Sequence, residues 1–181
     1  MEDLVDASGY GPTTATGYTA SGYYERDLFI RTDNALTNYD WSSVQNDNLW
    51  GNNGTEEDRQ GPCATGWHVP TNAEWLGLMR AVCYAGIFSG NGNCAASSWT
   101  TNFTTADRDA IVNYLNLPLA GNRNRSSGAL ALQGSHARYW ASTPNGTYAY
   151  YLSMLASNLY PQHYNNRAYG FSVRCFKNST P

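Results

Sequence analysis

From Asn145 to Gly170 the chain reads NGTYAYYLSMLASNLYPQHYNNRAYG, rich in Tyr, Asn and Ser, with no Asp, Glu or Lys and a single Arg. The chemistry such residues perform is recognition. Tyr offers large, stiff, amphipathic contact area at low entropy cost, while Ser, Gly and Asn adapt their hydrogen bonds. An Asn-rich surface loop is the plainer reading. Clustered Tyr is costly to expose as apolar area without a partner, and this favours a binding surface.

Other reactive side chains are scattered. Cys63, Cys83, Cys94 and Cys175 have no metal-like spacing, and His68, His136 and His163 stand alone, so no metal ligand set is expected. Cys83 and Cys94 bracket YAGIFSGNGN and could close a short loop, while Cys63 and Cys175 would tie the middle of the chain to its end. All three pairings of four cysteines, and free buried thiols, stay open. There is no GxSxG, HExxH or P-loop pattern, and no acid pair accompanies a histidine. No catalytic residue and no cofactor are expected. The N-x-S/T sequons at Asn53, Asn102, Asn124, Asn145 and Asn178 are what chance supplies in an Asn-rich chain.

The chain has 181 residues, enough for one domain with its own core. Only 14% of residues are charged, against a usual quarter, so the surface must be polar and uncharged. A net charge of -3 and the lack of any Lys/Arg run exclude nucleic acid and anionic membranes as partners, since both need a cationic footprint. No apolar run approaches the ~20 residues of a membrane span. The N-terminal MEDLVDASGYGP has neither the basic region nor the apolar core of a signal peptide.

These residues need elements to position them. Residues 1–24, with Gly-Tyr repeated among small residues, predict a weakly structured arm or an edge strand. ERDLFIRT (Glu25 to Thr32) alternates as a strand, and Asn34 to Gly61 predicts a long loop anchored by Trp41 and Trp50. Thr71 as N-cap with Glu74 as its capping-box partner starts a helix over about Asn72 to Ala85. A second helix starts at Thr104 or Thr105, with Asp107 and Asp109 in its first turn, and ends by Pro118. Strands are predicted at Ala129–Gln133, Arg138–Thr143, Ala149–Leu155 and Gly170–Phe176. Two helices followed by antiparallel strands mean an α+β fold in a single domain over 1–181.

The succession DWSSVQNDNLW (from Asp40), GPCATGWHVPTNAEW (from Gly61), RYWASTPNGTYAYYL (from Arg138) and NNRAYGFSVRCFK (from Asn165) resembles the FISUMP-type domains of C-type lectin fold. More closely, it resembles the variable proteins of diversity-generating retroelements, in the formylglycine-generating-enzyme-like branch of that fold. The likeness runs from about Asp40 to Lys177. It implies two helices packed on antiparallel strands with long irregular loops, and a variable region over about 138–177. In such proteins an error-prone reverse transcriptase rewrites adenines of AAY codons. The resulting residues exclude Lys, Glu, Gln, Met and Trp. Tyr148, Tyr150, Tyr151, Ser153, Leu155, Ala156, Tyr160, His163, Tyr164, Asn165, Asn166 and Tyr169 belong to the reachable set, and the resemblance implies that they bind ligand.

Strand alternation divides this region further. Leu152 and Met154 fall on a core face; Tyr151, Ser153 and Leu155 fall on the other, expected to be exposed together with Tyr169. Phe171, Val173 and Cys175 face one way and seal the sheet, and Arg167 reads as a structural hydrogen-bonder. The resemblance also brings an enzymatic alternative, copper-assisted thiol oxidation, but neither Cys63 nor Cys175 has the exposed, basic setting of a reactive thiolate. The EPN, QPD and WND motifs of calcium-dependent sugar binding are absent.

The expected function is therefore recognition of a protein or glycan on a host or neighbouring cell, from a virion or cell surface, without membrane insertion. The alternative is an undiversified FISUMP-type surface module with a structural or calcium-independent glycan-binding role.

Overall fold

The first helix shows how local sequence sets the frame. In the computed structural model, which describes Asp40 and residues 45–179, α1 spans Asn72–Tyr84. The Thr71 hydroxyl accepts from the Glu74 backbone N–H at 3.1 Å, and the Glu74 carboxylate accepts from the Thr71 N–H at 2.7 Å. This capping box satisfies two donors the first turn would leave orphaned. Helical spacing then buries Trp75, Met79, Val82 and Cys83 on one side. The second helix, α2 (Thr105–Leu115), repeats the device with Thr104 and Asp107. It ends earlier than Pro118 would require, because Asn116 takes a left-handed conformation at φ 50° and closes it.

A three-stranded antiparallel sheet carries the Tyr-rich segment. Its order is β4 (Ala137–Asn145), β5 (Tyr148–Met154), β6 (Leu159–Asn166). Gly146 and Thr147 form the turn between β4 and β5, with Gly146 at φ 58°, the positive region with which tight hairpin turns begin. The strand β6 departs from the sequence expectation, which placed no strand there. Pro161 argues against a ladder position, but it falls within a bulge where the pairing jumps from Tyr151↔His163 to Ser153↔Tyr160.

The other sheets are two-stranded: β1 (Trp67–His68) with β7 (Phe176–Lys177), and β2 (Asn122–Arg123) with β3 (Leu130–Ala131). Most of the expected strand Gly170–Phe176 is irregular. Gly170 and Ser172 make single bridges, to Arg123 and Tyr139, and only Phe176 enters a strand. Residues 45–66 contain turns and no helix or strand, as expected for the loop. The arm, the Glu25–Thr32 strand and the Trp41 anchor lie outside the described residues.

The described elements are α+β, with apolar clusters on both faces of the large sheet. One joins Trp75 and Met79 of α1 and Ile111 of α2 to Tyr139, Leu152, Met154 and Leu159. The second, on the opposite face, joins Trp140, Tyr151 and Phe171, flanked by Trp50, Ala149 and Tyr169. Disulfides join Cys63 to Cys175 and Cys83 to Cys94, which selects one of the three pairings. Among the described residues no helix is long and apolar enough to cross a membrane.

Candidate functional site

The hairpin β5–β6 orders the aromatic residues by register. Tyr150 pairs with Tyr164 and Tyr151 with His163, so the pleat sends these pairs to opposite faces. A chain of rings nevertheless connects them around the outer strand β6. Tyr164 lies 5.5 Å from Tyr148, 6.3 Å from Tyr150 and 6.0 Å from His163, centroid to centroid. His163 in turn lies 5.2 Å from Tyr160 and 5.3 Å from Tyr151. The bulge at Pro161 is what returns Tyr160 to the face of His163 despite their spacing of three residues. Edge-to-face and tilted rings at these distances are mutually attractive, so the belt is partly organised without a ligand.

Exposure corrects two expectations. Tyr151 is 3% exposed and Ser153 2%, although both were expected on an open face with Leu155 and Tyr169. The alternation itself holds, since Leu152 and Met154 are fully buried. What fails is the assumption that one face stays open. The segment Tyr169–Ser172 returns across it, placing the Phe171 ring 4.6 Å from Tyr151 and 4.3 Å from Trp140. Burial pushes the Tyr151 phenol up from its ordinary pKa, against opposing effects of Arg138, Ser153 and Asn165. Phe171 does seal the sheet, while Val173 and Cys175 are only half-buried.

The remaining candidates differ in setting. Tyr148, His163, Tyr164 and Ala156 are exposed; Tyr150, Tyr160, Asn165, Asn166 and Tyr169 are half-buried, as is Leu155. Register puts Leu155 and Ala156 at the far end of the hairpin from Tyr148 and Asn166, so they are not part of the belt. The single contiguous face expected from the sequence is thus an aromatic rim around β6, with Tyr151 as its buried base.

Arg167 braces the open end of the hairpin. Its guanidinium donates to the Gly146 carbonyl at 2.8 Å, to the Tyr148 carbonyl at 3.2 Å and to the Asp47 carboxylate at 2.6 Å, with Asp40 3.9 Å away. Gln45 adds a bond to the same Gly146 carbonyl at 3.0 Å. Burial pushes the Asp47 carboxyl up, but the bonds from Arg167 and Gln45 outweigh it and hold it below the ordinary carboxylate range. Arg167 is therefore the structural hydrogen-bonder its neighbours implied. Asp47, its partner, and Gln45, which shares the Gly146 carbonyl, could not be assigned this role from sequence, because about a hundred residues separate them from the hairpin they hold.

All helices and strands described above fall within one family match. The profile of the Fibrobacter succinogenes major domain covers residues 11–177. The chain belongs to that family. No curated protein and no solved structure matches it. Because the match spans the helices and the aromatic hairpin alike, the rim is part of the Fibrobacter succinogenes major domain and not an appendage to it. Glu56, His68 and Glu74, which share no motif spacing, also converge in this domain.

Proposed function

We propose that this protein is a ligand-recognition protein that presents a Tyr-rich surface diversified by a retroelement, on a virion or cell surface. The observation that carries the reading is the connected aromatic rim of Tyr148, Tyr150, Tyr164, His163 and Tyr160, mounted on a sheet whose core is closed beneath it. Aromatic anchors dominate the energetics of interfaces, and a rigid base lowers the ordering cost of binding. Membership of the Fibrobacter succinogenes major domain family agrees with the FISUMP-type likeness, and the C-type lectin fold is part of this proposal. The two disulfides support an oxidising, extracellular setting. The role is binding, not catalysis, and the partner is a protein or glycan on another cell.

The diversified set needed for this reading is smaller than twelve positions. Buried Tyr151 and Ser153 would not vary freely, and that burial favours the second reading, an undiversified structural or calcium-independent glycan-binding module. A combined Tyr148→Ser, His163→Asn and Tyr164→Ser variant separates the two. A diversified rim would tolerate it, each exposed change shifting stability by under ~0.5 kcal/mol, while binding to its partner collapses. Early unfolding would instead assign these rings to structure. A near-copy of the hairpin codons beside a reverse-transcriptase gene, differing only at adenines, is the matching genomic observation.

A further inference from the structure

Glu56, His68 and Glu74 come from a loop, β1 and the first turn of α1, yet their ligand atoms all lie within 4.8 Å of one another. His68 is only 2% exposed. Its Nδ1 sits 2.9 Å from Oδ1 of Asn178, an acceptor, so the ring proton belongs on Nδ1. Nε2 is buried without a hydrogen-bond partner, 3.3 Å from Oε1 of Glu74. A lone pair held against a carboxylate oxygen repels it unless something positive lies between them. The His68–Glu74 spacing suits that occupant: two ligand bonds of about 2.1 Å at the tetrahedral angle hold their donor atoms about 3.4 Å apart, and Glu56 stands within 4.8 Å of both.

The surroundings orient both carboxylates. Arg59, 5% exposed, forks Glu74 at 2.5 and 3.1 Å, and Thr71 donates to the same carboxylate through its N–H and hydroxyl. Ser179 donates to Glu56 from its N–H at 2.5 Å and its hydroxyl at 2.9 Å. Outer hydrogen bonds of this kind fix ligating carboxylates and histidines around metals. Two carboxylates against one guanidinium leave a negative excess beside the imidazole. One imidazole with two carboxylates suits zinc, whereas calcium asks for six or more oxygens.

We propose that Glu56, His68 and Glu74 bind a zinc-class divalent ion, with solvent as the fourth ligand, clamping the Glu56 loop and the C-terminal segment to the start of α1. The test uses the full chain, stripped by chelator and titrated with Zn2+ by calorimetry and thermal melting, with Co2+ absorption as a report on coordination. The expected result is one ion per chain, a melting temperature that rises with Zn2+, and tetrahedral Co2+ bands. Glu56→Gln, at a half-buried loop position, should weaken binding by roughly tenfold or more, and the exposed neighbour Glu57→Gln should leave it unchanged. Absence of stoichiometric binding to the wild-type chain, or equal affinity in Glu56→Gln, would overturn the proposal. So would nitrogen NMR showing a proton on Nε2 of His68 that Zn2+ does not displace, because Nε2 would then simply donate to Glu74.

Discussion

Two tyrosines on neighbouring pairs of one hairpin separate structure from display. Tyr151 is enclosed by Trp140, Phe171 and His163, whereas Tyr164 is 51% exposed although it neighbours the rings of Tyr148, Tyr150 and His163. Tyr151→Ala removes a large buried ring that its neighbours cannot collapse onto, and should cost about 3–5 kcal/mol. Tyr164→Ala should cost under about 0.5 kcal/mol. Urea denaturation of the two variants measures both, and similar costs would mean that the rim is packed rather than displayed. The same contrast governs which residues of the hairpin could change without loss of fold.

Elements inherit their stability from their ends. The α1 capping box ties Thr71 to Glu74, and Glu74 is in turn held by Arg59, so the start of the helix is fixed to the loop before it. Thr71→Ala should lower stability by about 0.5–2 kcal/mol and leave the aromatic rim in place. An unchanged denaturation midpoint would show that the Thr143 hydroxyl, which accepts from the Asn72 N–H at 3.2 Å, and the Glu74 carboxylate, which accepts from the Thr71 N–H, already satisfy this terminus. At the β4–β5 turn, Arg167 does for a turn what Thr71 does for a helix. It satisfies the Gly146 and Tyr148 carbonyls where the ladder stops.

Across the whole molecule the disulfides divide the labour. Cys63 and Cys175 are 112 residues apart, Cys83 and Cys94 only 11. A cross-link restrains the unfolded chain more as its loop lengthens, from about 3 kcal/mol for ~15 residues to nearly 5 for ~100. Replacing Cys63 and Cys175 by Ala should therefore destabilise more than replacing Cys83 and Cys94, by about 1–2 kcal/mol. Guanidinium denaturation of the two double variants is the measurement, and the opposite order would place the gain in native packing around Cys83.

What the sequence determined by itself was local. Thr71 with Glu74 and Thr104 with Asp107 announce helix starts because a cap and its partner are three residues apart, and alternation in YYLSML announces which residues meet the core. The α+β class follows from the order of those signals. Tertiary structure decided whatever depends on distant chain. Phe171 covers Tyr151 although twenty residues separate them, and strand β6 forms around Pro161 only because its bulge excuses the missing N–H. Gln45 and Asp47 brace a turn a hundred residues away, and Glu56, His68 and Glu74 meet across three elements. Alternation states that two faces exist; only the folded chain states what covers each, since burial is a property of neighbours in space.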